Sequence, residues 1–183
     1  MKNILLSTRP QWCENICHEI GKDENGKPIY EKRIEVRKTA PKEVPFKAFI
    51  YATRPKKFYK CGAVSTSDEL LWLANGKVEM GDGFKFWADA DEYQCLNGRI
   101  IGEFVCDRII DISVVVRNCN ENYNEVYHND ECKGTCLTWK ELQEYGKGKP
   151  LYGWHISDLK IYDKPILLEE LGIDKAPQSW RYI

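Results

Sequence analysis

The segment 32–38, which reads Lys-Arg-Ile-Glu-Val-Arg-Lys, combines several cations with one carboxylate. In a strand, alternate side chains share a face, so Arg33, Glu35 and Arg37 lie together. Arginine binds phosphate through paired hydrogen bonds, lysine adds a point charge, and a carboxylate accepts from the exocyclic amine of a base. The segment therefore predicts a cationic pocket around one carboxylate, to which the first helix adds Arg9. A solvated strand face with a salt-bridge ladder is the alternative.

Aromatic side chains give the same region candidates for stacking on a base. Trp12, Tyr51, Trp154 and Trp180 are the candidates, and a role in the core is the alternative for each of them. Trp12 and Trp154 are favoured because each adjoins a polar or charged motif. His155 follows Trp154 directly, and its side chain suits either acid-base chemistry or a structural hydrogen bond.

The eight cysteines raise the question of a metal site. Cys119, His128, Cys132 and Cys136 are near enough in sequence for zinc, but the paired Cys-x-x-Cys spacing is missing. We therefore predict no metal and no cofactor, and keep these four residues as the candidates if a metal is bound. Three other cysteines fall on expected buried faces and are interpreted as packing residues: Cys13, Cys17 and Cys106.

Composition limits the class of partner. The 183 residues carry 27 Lys+Arg against 28 Asp+Glu, a net charge of -1, which argues against an extended phosphate track. The acidic residues gather at 89–92 and 118–131, so the strand at 32–38 can still be locally positive. These numbers favour a pocket-sized ligand: one nucleotide or a short single strand.

The same composition predicts a single domain over residues 1–183. Hydrophobic residues make up 43% of the chain, enough for one sizeable core. The mean hydropathy is -0.53, no apolar run has the length of a membrane span, and the first ten residues leave no room for a signal-peptide core. We expect a cytoplasmic protein with reduced thiols and no membrane association.

Short strands dominate the predicted elements. A strand at 2–6 leads through a Ser-Thr-Arg-Pro cap into a helix that carries Ile20 at its end, and Gly102 marks a bulge or a close backbone approach. The predicted strands are 29–37, 46–53, 98–109 and 154–163, with a strand pair at 77–87. The predicted helices are 68–74, 138–145 with a Thr138–Glu141 capping box, and 167–171. Residues 56–94 form a variable region and residues 118–133 an exposed polar insertion.

Five of these segments together resemble the ASCH domain of the PUA-like superfamily, and look most like its phage- and prophage-associated branch. They are residues 5–12, 32–38, 49–53, 98–104 and 154–157. The family's Gly-x-Lys-x-x-Glu-x-Arg motif is matched in its charged part by Lys32, Glu35 and Arg37. The motif glycine is absent from its usual place, and a longer stretch at 21–31 replaces the tight turn.

The resemblance implies a mainly-β α+β fold, a PUA-like β-barrel with two or three flanking helices, and a cleft beneath the first helix. It also implies RNA or modified nucleosides as ligands. One ASCH branch hydrolyses N4-acetylcytidine with a lysine, a threonine three residues later and a distant glutamate. Here Lys32 takes the lysine position, Glu35 replaces the threonine, and Glu103 is the candidate for the distant carboxylate.

We therefore predict that a cationic cleft binds short single-stranded RNA or a modified nucleotide. The ligand-binding candidates are Arg9, Trp12, Lys32, Glu35, Arg37, Tyr51, Trp154 and His155. The first alternative is a small amidohydrolase or nuclease acting on modified nucleosides or RNA, with Lys32, Glu35 and Glu103 as catalytic residues. The second is a phage-encoded interaction protein without catalytic activity.

Overall fold

The structure is a computed structural model that describes residues 1–54, 70–73, 78–80, 93–113 and 130–183. The strands are β1 (Lys2–Thr8), β2 (Glu19–Lys22), β3 (Pro28–Tyr30), β4 (Ile34–Arg37), β5 (Phe46–Ala52), β6 (Leu70–Leu73), β7 (Val78–Met80), β8 (Tyr93–Cys95), β9 (Arg99–Cys106), β10 (Ile109–Asp111), β11 (Tyr152–His155), β12 (Ser157–Leu167) and β13 (Trp180–Tyr182). The helices are α1 (Pro10–Cys17), α2 (Asp130–Lys133), α3 (Trp139–Gly146) and a 3-10 helix (Leu168–Leu171).

The strands form open sheets in a mainly-β α+β fold. A five-stranded sheet has the order β12-β9-β5-β1-β13, in which only β1 and β5 run parallel. A second, antiparallel sheet has the order β10-β11-β4. The pairs β2-β3 and the order β7-β6-β8 complete the described ladders. Within the described residues no ladder joins these sheets into the closed barrel that we expected.

The main core lies between the five-stranded sheet and the β10-β11-β4 sheet, here called the two larger sheets. Strand β5 alternates strictly, so that Phe46, Ala48 and Ile50 face this core while Phe49 and Tyr51 face a smaller cluster on the other side of the sheet. The five-stranded sheet therefore has two covered faces. Which face a side chain occupies decides whether it can reach the candidate site.

Helix α1 begins at Pro10, the last residue of the predicted Ser-Thr-Arg-Pro cap. Ser7 and Thr8 belong to β1, and Arg9 is the N-cap, without a side-chain capping bond, before Pro10. The predicted helix also ends earlier, because Ile20 is exposed on β2. The chain thus passes from a buried strand to a short helix within one residue.

The segment between α1 and the charged motif forms a hairpin and does not displace the motif. Strands β2 and β3 pair, and the chain then returns to the end of α1, where the amides of Glu31 and Lys32 donate to the carbonyls of His18 and Asn15 at 2.9 and 3.0 Å. The predicted strand at 29–37 is consequently two strands, β3 and β4, with a break over residues 31–33.

Other local predictions had mixed outcomes. The Thr138–Glu141 capping box is present at the start of α3. The helix predicted at 68–74 is wrong over Leu70–Leu73, which is strand β6, and β7 pairs with β6. The predicted turn at 81–83 lies outside the described residues, as does most of the polar insertion. The end of that insertion is not exposed loop throughout, because it forms α2 and buries Cys132.

Gly102 is expected to resist substitution by alanine. The register between β5 and β9 shifts beside it, and an added Cβ would lie 2.5 Å from the carbonyl oxygen of Lys160, a backbone atom that cannot turn aside. We expect Gly102→Ala to lower the free energy of unfolding by about 1–3 kcal/mol, measured by urea unfolding. Gly21→Ala is the control, because no atom lies within 4 Å of its Cβ position. Equal effects of the two substitutions would contradict the expectation.

Candidate functional site

Lys32, Glu35 and Arg37 lie buried between the two larger sheets. Their residues are 2%, 4% and 8% exposed. On β4, Ile34 and Val36 pack into a separate apolar cluster under α3, so alternation turns Glu35 and Arg37 toward the main core. The alternative of a solvated salt-bridge ladder is wrong, because both faces of β4 are covered.

A continuous polar network joins the three side chains. Arg37 Nη2 lies 2.6 Å from Glu35 Oε1, and Lys32 Nζ lies 3.5 Å from Glu35 Oε2. Lys32 Nζ also donates to the carbonyl oxygen of Thr135 at 2.6 Å. The carboxylate is thus held between two cations, and such a pair of partners offsets much of the cost of burying it.

The end of β1 and the chain before β13 hold Arg37 from the other side. Arg37 Nη2 donates to the carbonyl oxygen of Ser7 at 2.9 Å and to Thr8 Oγ1 at 3.4 Å, and Arg37 Nη1 donates to Ser179 Oγ at 3.4 Å. Ser7 is fastened to the same C-terminal segment through a bond from its hydroxyl to the carbonyl oxygen of Pro177 at 2.7 Å. Arg37 is therefore oriented by groups from three separate parts of the chain.

Three polar atoms in this region have no hydrogen-bond partner within the described part of the chain. They are Glu35 Oε2, Arg37 Nε and Trp154 Nε1. Trp154 lies directly opposite Glu35 in the ladder between β11 and β4, so the two side chains share a face. One acceptor and two donors are thus buried without a hydrogen bond, which costs free energy in a desolvated setting.

Trp12 and Arg9 stand where the network meets the surface. The Trp12 ring is half-buried and lies 5.1 Å from Lys32 Nζ, within the range of a cation–π contact. Arg9 is exposed and lies three residues before Trp12, which places both on one side of α1. The structure therefore groups five of the predicted residues: Arg9, Trp12, Lys32, Glu35 and Arg37.

Sequence reasoning missed Tyr145 and Lys38 at this site. Lys38 Nζ lies 5.0 Å from the centre of the Tyr145 ring. Burial raises the pKa of Tyr145, and the charges of Arg37, Glu35 and Arg9 also act on its hydroxyl. Tyr145 comes from the last turn of α3, far away in sequence, and no local pattern indicates that α3 ends beside β4.

Trp154 and Tyr51 are not at the surface of this site. Trp154 is fully buried, and its ring contacts Phe46 at 5.1 Å and Trp180 at 5.6 Å in edge-to-face geometry. Tyr51 packs into the cluster on the far side of the five-stranded sheet. Neither ring is placed to stack on a ligand that contacts Lys32 from the surface.

His155 belongs to a different face of β11. Because it follows Trp154 in a strand, its side chain points away from the face that Trp154 shares with Glu35. His155 Nδ1 lies 2.6 Å from Asp107 Oδ1. Burial alone would raise the pKa of Asp107, but the bond and charge of His155 outweigh it and hold that pKa below its ordinary value. The structural alternative that we kept for His155 matches this pairing.

Glu103 is likewise separated from Lys32. It pairs across from Phe49 on the outer face of the five-stranded sheet, where Lys47 Nζ and Tyr162 Oη donate to it at 2.7 and 2.6 Å. The structure does not bring this carboxylate to the Lys32 network.

The hydrogen bonds to the Glu103 carboxylate predict that the protein loses folding stability in acid. Burial alone would raise its pKa, but the bonds from Lys47 and Tyr162 outweigh it and lower the pKa from 4.5. A carboxyl whose pKa is lowered on folding contributes stability above its unfolded pKa, and that contribution disappears as the pH falls through the folded value. We expect wild type to be more stable than Glu103→Gln near neutral pH, and this difference to shrink below about pH 4.5 in urea unfolding. A constant difference across that range would contradict the expectation.

The described cysteines do not form a metal centre. Within the described residues no three metal-ligating side chains come together, and Cys119 and His128 lie outside that part of the chain. Cys13 and Cys106 are buried and Cys17 is half-buried, close to the packing role that was predicted. Burial raises the pKa of Cys17 and of Cys106 to about 12, so both remain thiols at neutral pH.

Solved structures with a similar fold come from Zymomonas mobilis. The crystal structure of its ASCH protein matches with a TM-score of 0.54 at 16% sequence identity, over 100% of this chain and 87% of that one. Two single-substitution variants of that protein match with the same TM-score and identity, over 91% and 88% of their chains. The chain has the fold of an ASCH domain.

At this identity, the ASCH similarity concerns the fold alone. No protein-family model matches the chain, and no curated protein sequence does. The matches carry no indication of the phage- and prophage-associated branch. In the described residues, no helix is long and apolar enough to cross a membrane.

Proposed function

We propose that this ASCH-fold protein binds a nucleotide or short single-stranded RNA, modified bases included, where the Lys32–Glu35–Arg37 network meets the surface at Trp12. One observation carries the proposal: Lys32, Glu35 and Arg37 form a single buried network beneath the half-buried ring of Trp12. Both cations and the carboxylate are held in place before any ligand arrives, which lowers the entropy that binding must overcome.

The network suits recognition of a base. Glu35 Oε2 and Arg37 Nε are buried and have no hydrogen-bond partner among the described residues, so they become an acceptor for an exocyclic amine and a donor to a ring nitrogen or carbonyl once the covering side chains move aside. Trp12 offers an aromatic face, and stacking on such a face contributes about 1–3 kcal/mol per base. The ASCH fold supports RNA as the ligand class, because the resemblance to that family implies RNA or modified nucleosides as ligands.

Titration of short fluorescent RNAs and of mononucleotides, each at two salt concentrations, tests the proposal. We expect Trp12→Ala to weaken binding about tenfold, since it removes the stacking surface. It also removes the ring that contacts Lys32, so a thermal melt verifies the fold before affinity is compared. Tyr51→Ala is the matched control, an aromatic residue on the far side of the five-stranded sheet. Absence of binding by wild type, or equal losses in the two variants, would contradict the proposal.

Arg37 needs a separate variant because it is buried. Arg37→Lys keeps the positive charge but loses the Nε donor and the forked geometry, so we expect weaker binding with the fold retained. Circular dichroism and a thermal melt verify the fold before affinity is compared. A folded Arg37→Lys protein that binds as tightly as wild type would remove Arg37 from the proposed site.

We also propose a second candidate function, a small amidohydrolase, because Glu35 Oε2 has no hydrogen-bond partner among the described residues and lies 3.5 Å from Lys32 Nζ. In this reaction Glu35 takes a proton from water as the water oxygen attacks an acyl carbon. The C–N bond then breaks, and the leaving nitrogen takes a proton to give the amine and a carboxylic acid. Glu103 has no part in this scheme.

Incubation with N4-acetylcytidine and related acylated nucleosides separates the two functions. If the protein is a hydrolase, free acid appears with wild type and is lost with Lys32→Ala and with Glu35→Gln. If the protein is only a binder, no free acid appears with any of the three proteins while the affinity measurements still show a ligand.

A further inference from the structure

The surface around Tyr145 carries an excess of positive charge that the base-recognition scheme leaves unused. Arg37, Arg9 and Lys38 are the cations there, and Glu35 is the one carboxylate that acts on the Tyr145 hydroxyl among the described residues. Glu35 is already paired with Arg37 at 2.6 Å. The unbalanced charge is therefore that of Arg9 and Lys38.

Arg9 and Lys38 are free to bind an anion. Both are exposed, and neither forms an ion pair with a carboxylate of the described residues. On α3, Glu144 directly precedes Tyr145, and Glu141 lies one turn before it with its carboxylate engaged at 2.8 Å with the Thr138 amide at the other end of the helix. The cations Arg9, Arg37 and Lys38 outnumber the carboxylates of Glu35 and Glu144 around Tyr145, so the local field favours a negatively charged group.

The geometry also fixes where such a group would sit relative to the base. Lys38 follows Arg37 directly on the chain, and Lys38 Nζ is held over the Tyr145 ring at 5.0 Å. Arg37 reaches back to the carbonyl of Ser7 and the hydroxyl of Thr8, immediately before Arg9. Trp12 contacts Lys32, which pairs with Glu35 Oε2, whereas Arg37 pairs with Glu35 Oε1. A base at Trp12 and an anion at Tyr145 would therefore meet different ends of the Lys32–Glu35–Arg37 network.

We propose that Arg9, Lys38 and Tyr145 form a phosphate-binding subsite, so that the ligand is a phosphorylated nucleotide or RNA and not a free nucleoside. This inference rests on the proposed binding function and adds the residues that bind the phosphate of that ligand. Arg9 and Lys38 supply charge, and the Tyr145 hydroxyl is a donor. A phosphate offers these groups several acceptor oxygens at once.

Isothermal titration with adenosine, cytidine, guanosine and uridine, each beside its 5′- and 3′-monophosphate, tests the subsite. We expect at least one monophosphate to bind about tenfold tighter than its nucleoside, and Lys38→Ala or Arg9→Ala to remove that difference. Both side chains are exposed, so the fold is not at risk. The slope of the logarithm of RNA affinity against the logarithm of salt concentration is expected to fall by about one in each variant.

Lys2→Ala is the matched control, because Lys2 Nζ also lies over a tyrosine ring, that of Tyr182 at 5.6 Å, but is paired with Glu43. Equal binding of nucleoside and monophosphate by wild type, with Trp12→Ala weakening both, overturns the subsite and leaves the binding function standing. Failure of both ligands and of RNA to bind overturns the function itself. Equal losses in Lys2→Ala and Lys38→Ala overturn the subsite as well.

Inorganic phosphate distinguishes a built subsite from general charge attraction. We expect phosphate to displace the monophosphate from wild type, to leave bound nucleoside in place, and to lose this effect in Lys38→Ala. Displacement that is unchanged in Lys38→Ala overturns the proposal, because the anion would then be attracted by some other part of the surface.

Discussion

Replacing Glu35 with alanine is expected to lower the free energy of unfolding by about 3–5 kcal/mol. The substitution leaves Lys32 and Arg37 as buried cations without their carboxylate, and both are more than nine-tenths buried. Lys32 keeps only the Thr135 carbonyl and the Trp12 ring, and Arg37 keeps only neutral acceptors. Urea unfolding at neutral pH, followed by circular dichroism, measures the change.

Glu43→Ala is the matched control for this prediction. Glu43 also pairs with a lysine, Lys2, at 2.9 Å, but both side chains are more than half exposed. Exposed pairs of this kind contribute about 0–1 kcal/mol, since water solvates the remaining charge. A loss in Glu35→Ala as small as that in Glu43→Ala would show that water reaches the Lys32–Glu35–Arg37 network in solution.

Trp154→Ala is expected to cost about 3–5 kcal/mol of stability, the range for removing a large aromatic side chain from a core. Trp154 is fully buried and packs edge to face against Phe46 and Trp180, joining the two larger sheets. The same unfolding experiment measures the loss. Trp154→Phe should cost less, because it keeps much of the ring and removes the indole N–H, which has no partner among the described residues.

Trp180→Ala serves as the control, since Trp180 is only half-buried and its loss opens a smaller cavity. The interpretation of Trp154 as a stacking residue makes the opposite prediction, in which Trp154→Ala keeps its stability and loses ligand affinity. The two measurements on one variant therefore decide between a core residue and a ligand contact.

Local patterns predicted those features that depend on neighbouring residues. The capping box at Thr138 and Glu141 needs only a three-residue spacing. Gly102 was expected to mark a bulge or a close approach, and the structure has both. The alternation that places Glu35 and Arg37 together on β4 follows from the period of two in any strand.

The tertiary structure decided which of the candidates share a site. Glu103 and Tyr51 lie in strands that the sequence pattern predicts. The environment of the face that each occupies depends on what packs against the five-stranded sheet. Trp154 has polar sequence neighbours, yet its environment comes from Phe46 and Trp180, which are distant along the chain. The residues next to Trp154 in the sequence therefore did not indicate that its side chain is buried.

The sequence by itself determined the charged motif and its alternation, because both follow from residue order within one strand. Only the tertiary structure decided that Lys32, Glu35 and Arg37 are buried, since the covering groups come from α1, β1 and the C-terminal segment. It also decided that Tyr145 ends α3 beside Arg37 and Lys38. The physical reason is that burial and electrostatic environment are sums over long-range contacts, which a local pattern does not contain.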